Sequence, residues 1–141
     1  MRGDKESGMR ILSVTAQKPC STGSGVYLTE VVKALAKEGH TQIVLAGIAR
    51  GEQMDMPDGV KAYPVYFESE GLPYPVVGMS DEMPYISTRY KDMTEEMTVQ
   101  FRNAFLAVLD EVIEREDPEL ILCHHLYYPV SYTHLTLPTI A

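Results

Sequence analysis

The strongest constraint on the fold lies in two short apolar runs that bracket one amphipathic stretch. Ile11-Leu12-Ser13-Val14-Thr15 is β-branched, apolar and flanked by polar residues, the pattern of a buried strand. From Val26 to Lys37, the residues Leu28, Val31, Val32 and Leu35 recur at i, i+3, i+4 and i+7, one face of a helix. Gly39 is placed to stop that helix. Gln42 to Gly47 then reads as a second strand. Strand, helix and strand over this length make a βαβ unit, whose crossover forces the two strands to run parallel.

The pattern continues. Arg50 to Gly59 is a polar loop, and Val60 to Phe67 is a third strand interrupted by Pro64. Proline cannot donate to a ladder, so an edge position or a bulge is expected there. Glu68 to Asp92 is rich in Pro, Gly, Tyr and Met without a sustained period, and it is longer than most connectors, which predicts a functional loop. Thr94 to Arg115 reads as a helix with the stripe Met97, Phe101, Phe105, Val108 and Val112, and Pro118 follows its end. Leu120-Ile121-Leu122-Cys123 is a fourth strand. This alternation predicts an α/β fold, a Rossmann-like parallel sheet with helices on both faces.

Composition narrows the function. The chain has 141 residues, 45% hydrophobic and 23% charged, which suits one globular domain with a real core. Lys plus Arg is 12 against 20 for Asp plus Glu, a net charge of −8, which argues against nucleic acid or an anionic membrane as partner. Two cysteines, Cys20 and Cys123, cannot make a disulfide framework, so a cytoplasmic setting is expected. No apolar run reaches the roughly 18 residues of a membrane span. The polar leader, residues 1–8, lacks the apolar core of a secretory signal.

Two motifs fall where such sheets bind ligands. Thr22-Gly23-Ser24-Gly25-Val26-Tyr27-Leu28 lies between the first strand and first helix, where backbone N–H groups and the helix dipole can hold a phosphate. A dinucleotide fingerprint needs a third glycine where Leu28 stands, and an acidic residue where Ala46 and Gly47 stand, so NAD is not expected. No Gly-Lys-Ser/Thr follows, which excludes a P-loop. The bland alternative is that the glycines only permit a tight turn. Cys123-His124-His125 ends the fourth strand. Successive strand residues alternate faces, so these three cannot converge on one ion, and no metal is predicted. One imidazole can enter a cleft as a hydrogen-bonding or acid–base group; the alternative is a histidine satisfied by backbone. The methionines at 54, 56, 79, 83, 93 and 97 read as packing, and Cys20 as an inert thiol.

The C-terminal stretch differs from the rest. Val130 to Thr139 has no charged side chain, and its sequence VSYTHLTLPT resembles an in-frame translation of the transposase adapter used in preparing sequencing libraries. On that reading residues 130–141 are not native and the natural sequence departs near Pro129. The alternative is a genuine Thr/Leu-rich strand.

Four pieces in order carry a resemblance. They are Met9-Arg10-Ile11-Leu12 opening the sheet, Gly23-Ser24-Gly25-Val26 before the helix, Lys37-Glu38-Gly39-His40 after it, and Pro118-Glu119-Leu120-Ile121-Leu122-Cys123-His124-His125. Together, over residues 9–129, they resemble the N-terminal domain of family 4 glycosyltransferases with the GT-B fold. The resemblance implies two Rossmann-like domains facing across a cleft, the second binding a nucleotide-sugar donor and the first receiving the acceptor. It implies that Gly23, Ser24 and Gly25 lie near the donor diphosphate, with Ser24 standing where the family has its first glycine. It implies that His124 is the catalytic cleft histidine contacting the donor sugar, and that His125 stands where relatives often carry an acidic residue. The donor is a substrate, so no separate cofactor is expected. Without the donor-binding domain and its paired glutamates, the chain alone is expected to be inactive. The alternatives are half of a sugar-nucleotide epimerase, or a non-catalytic α/β module binding through residues 68–92.

Overall fold

The fold comes from a computed structural model, which describes residues 8–16, 19, 23–78, 86–124 and 139–140. Its centre is β1 (Arg10–Thr15), followed by α1 (Gly23–Lys37), β2 (Thr41–Ala49) and β3 (Lys61–Phe67). After the short β4 (Val77–Gly78) and β5 (Thr88–Arg89) come a 3-10 turn (Tyr90–Asp92), α2 (Glu95–Glu116), β6 (Leu120–His124) and β7 (Thr139–Ile140). The main sheet runs β3-β2-β1-β6-β7, and every pairing in it is parallel. The chain is Rossmann-like α/β.

Side-chain alternation along β2 shows how both faces are covered. Ile43 and Leu45 join Leu12, Val14, Val65 and Phe67 in the core packed by Phe101, Phe105, Leu109 and Val112 of α2. Val44 and Ala46 face the other way, against Leu28 and Val32 of α1. Strand side chains alternate in this manner because of the pleat, so a sheet buried on both faces needs apolar residues at every position. Phe101 and Phe105 stack with ring centroids 4.6 Å apart, and Phe67 tilts against them at 6.4 and 6.1 Å. Leu109, rather than Val108, takes the fully buried position of the α2 stripe.

The helix ends explain their sequences. Gly39 adopts φ 94, the left-handed value that closes α1. His40 N–H reaches Leu35 O at 3.1 Å and Gly39 N–H reaches Ala36 O at 3.0 Å, which together form a Schellman motif. Thr94 caps α2, its hydroxyl accepting from Met97 N–H at 3.1 Å. Met97 Sδ accepts the Thr94 N–H in return, the part a Glu or Gln usually plays.

Two element boundaries differ from expectation. α1 starts at Gly23, so the glycines predicted as a turn form its first turn. β2 extends through Ala49, beyond the predicted Gly47. Of the predicted functional loop 68–92 the structure describes 68–78 and 86–92, where Leu72, Tyr74, Val76 and Val77 are buried in the α2-side core. Tyr74 Oη donates to Met97 O of α2 at 2.8 Å, and Thr88 N–H donates to Val76 O at 3.0 Å. Pro64 does lie in the edge strand β3, opposite Ala46. Within the suspected foreign stretch, Thr139 and Ile140 pair with Ile121 and Leu122, so these two residues join the sheet rather than lying apart from it. The leader through Ser7, Met79 and Met83, and residues 125–138, lie outside the described residues. Among the described residues, no helix is long and apolar enough to cross a membrane.

Candidate functional site at the switch between β1 and β6

The chain leaves β1 to build β2 and β3 on one side, then returns to place β6 on the other. The carboxyl ends of strands at such a reversal are where open α/β sheets bind ligands. Thr15 and His124, the last residues of the two strands, are directly paired there. Helix α1 begins above them. Its first-turn N–H groups have no partners within the helix, and no acidic side chain occupies that turn to compete for an anion. The predicted phosphate residues Gly23, Ser24 and Gly25 are that first turn.

His124 is half-buried and lies under α1: its ring meets the edge of Tyr27 at a centroid distance of 6.4 Å and an angle of 62°. Cys123, one residue earlier, packs instead against the α2-side core. The alternation expected of Cys123-His124 therefore holds. Burial pushes the Cys123 thiol above its ordinary pKa of 9.0, which keeps it protonated and a poor nucleophile. The structure thus brings Gly23–Gly25 and His124 to one sheet edge. Cys20, Thr22 and His125 lie outside the described residues.

Sequence reasoning missed two residues of this edge. Tyr27 is 63% exposed on α1, an aromatic rim beside the imidazole. Gly47 is required by a close approach: a Cβ there would lie 2.6 Å from Ala16 O and 2.7 Å from a ring carbon of Phe67. Any side chain at position 47 therefore collides with the backbone leaving β1 and with Phe67. Among the described residues, no three of His, Cys, Asp and Glu are grouped to hold a metal ion.

The fold defines the class as a Rossmann-like α/β domain whose strand order reverses between β1 and β6. Compared with models of known protein families, the chain matches none, and no curated protein matches it.

Proposed function

We propose that the chain is the acceptor-side domain of a nucleotide-sugar-dependent glycosyltransferase of GT-B shape. The observation that supports this reading is the convergence at one switch point of the α1 amino terminus and the His124 imidazole. A diphosphate is bound well by a helix start free of acidic side chains. A histidine ring beside it offers a hydrogen bond to the sugar that the diphosphate carries. On this reading Gly23, Ser24 and Gly25 meet the donor diphosphate through their N–H groups, His124 contacts the donor sugar, and Tyr27 flanks the imidazole. A second, donor-binding domain completes the cleft, the setting is cytoplasmic, and residues 130–141 are foreign to the natural protein.

His124 works here as a placed hydrogen-bond donor rather than a nucleophile. Removing one such group costs about 10²–10³ in rate. The test is steady-state transfer from nucleotide-sugars by the gene product extended into its natural downstream reading frame. His124→Ala is expected to lower turnover by that factor with an unchanged circular dichroism spectrum. Near-normal turnover in His124→Ala, or a downstream frame lacking a second Rossmann-like half, overturns the reading.

A further inference from the structure

Along the same carboxyl edge, past β2, lies an open pocket of about 450 Å³ lined by Arg50, Gly51, Glu52, Gln53, Tyr66 and Ser69. All six residues come from the ends of β2 and β3 and the turns that follow them. The turns are tied down. Arg50 N–H donates to Phe67 O at 2.9 Å, and Glu52 N–H donates to Ala49 O at 3.0 Å. Glu52 Oε1 accepts the Ala49 N–H at 3.1 Å. On the opposite wall Ser69 Oγ donates to Tyr66 O at 2.7 Å, and Ser69 N–H to Leu72 O at 3.0 Å. Gly51 has φ 90 and Glu68, a non-glycine, has φ 57. Left-handed backbone at a non-glycine residue persists only where its surroundings impose it. The backbone that carries the lining residues is therefore held by its own hydrogen bonds.

Its chemistry is two-sided. Arg50 is exposed, and among the described residues no ion pair engages its guanidinium, in a chain with 20 acidic and 12 basic residues. A guanidinium matches the two-pronged geometry of phosphate. Tyr66, on the β3 side of the pocket, is 45% exposed and offers a flat ring face. Glu52, Gln53 and Ser69 supply hydrogen-bonding groups suited to hydroxyls. A ligand that satisfies all of them is anionic at one end and rich in hydroxyls at the other. About 450 Å³ is within the size range of small-molecule sites.

We infer that this pocket binds a phosphorylated sugar or polyol, with the phosphate on Arg50, the ring against Tyr66 and hydroxyls toward Glu52 and Gln53. On the transferase reading it names the acceptor as such a compound, and only the word acceptor rests on that reading. The test is calorimetric titration of the intact chain with glucose 6-phosphate, glucose and inorganic phosphate. Glucose 6-phosphate is expected to bind saturably and at least tenfold more tightly than either of the other two. Arg50→Gln is expected to weaken it at least tenfold, Tyr66→Ala severalfold, and the distant Arg102→Gln not at all. Absence of saturable binding, equal affinity for glucose, equal affinity for inorganic phosphate, or an unaffected Arg50→Gln variant overturns the inference. The selectivity of the unmutated chain decides the matter even if a variant misfolds. Because this titration contains no nucleotide-sugar, its failure leaves the His124 turnover assay untouched, and the reverse holds too.

Discussion

Gly47→Ala places one methyl group where the fold has no room for it. The added carbon would stand 2.6 Å from Ala16 O and 2.7 Å from Phe67 Cε1, against about 3.5–4.0 Å for an ordinary contact between carbon atoms. Neither neighbour yields easily. Ala16 O is backbone at the exit from β1, and Ala16 is fully buried. Phe67 is fully buried and wedged against Tyr74, Phe101 and Phe105. Overpacking of this kind costs about 1–3 kcal/mol, and two close contacts with rigid partners put the site at the upper end. Alanine restricts the unfolded chain more than glycine does, which returns about 0.4–1 kcal/mol. The net expectation is a loss of about 2 kcal/mol, read as a lower urea midpoint at unchanged slope. Phe67→Leu opens space on one side, so the double variant should be less destabilised than the sum of the two singles. A loss below about 0.5 kcal/mol, or strict additivity with Phe67→Leu, refutes the close approach as the reason for glycine.

Glu116 accepts hydrogen bonds from Tyr63 Oη and Lys61 Nζ, which together hold its carboxyl below the ordinary 4.5, the tyrosine bond contributing most. Below pH 4.5 the unfolded chain takes up that proton before the folded chain does. Stability contributed by Glu116 is therefore present above pH 4.5 and lost as pH falls through the depressed value. Urea midpoints measured from pH 7 to pH 3 should show this decline in the unmutated chain and a shallower one in Glu116→Gln; identical slopes contradict it. Ser13 Oγ is buried in the middle of β1 with no hydrogen-bond partner among the described residues. Removing an unsatisfied buried hydroxyl relieves its desolvation penalty, so Ser13→Ala should raise stability by about 1 kcal/mol in the same denaturation assay, and a loss of stability contradicts the placement.

Much of the sheet was legible because its elements carry clean local periods. The β-branched run of β1, the 3.6-residue spacing of α1 and the proline of the edge strand β3 each announce a local state. The helix start at Gly23 was hidden because Gly and Ser are poor helix formers, although the first turn, whose N–H groups lie unpaired, tolerates them. In α2 the buried stripe is Phe101, Phe105, Leu109 and Val112, so its third residue falls one past Val108. Leu72, Tyr74 and Val76 do carry a period of two, the mark of a half-buried extended segment, but the prolines and glycines around them mask it. At the candidate site, Gly23–Gly25 and His124 were found through chain order. Tyr27 and Gly47 were not, because what selects them is a neighbour distant in sequence: His124 for the first, Ala16 O and Phe67 for the second.

The two edges of the sheet divide the work. At the amino edge, Arg10 N–H donates to Glu119 Oε1 at 2.9 Å and Glu119 N–H returns to Arg10 O at 2.8 Å. The Arg10 side chain holds Asp117 O at 2.7 Å, and Asp117 itself closes α2 in the left-handed region at φ 48. Met9 N–H donates to His40 Nδ1 at 3.0 Å, and Thr41 N–H donates to Met9 O at 2.8 Å. The Gly39-His40 pair of the family resemblance is thus a fastener joining the end of α1 to the start of β1. Lys61 and Tyr63 tie the start of β3 to the end of α2 through Glu116. Exposed ion pairs contribute little by themselves, but here they flank backbone hydrogen bonds that fix where β1, β2 and β6 begin. With those starts fixed, strand length alone determines how far each strand reaches toward the carboxyl edge. Register then sets Thr15 beside His124. The ends of β1 and β6 at the carboxyl edge are consequently placed in register from the opposite end of the sheet.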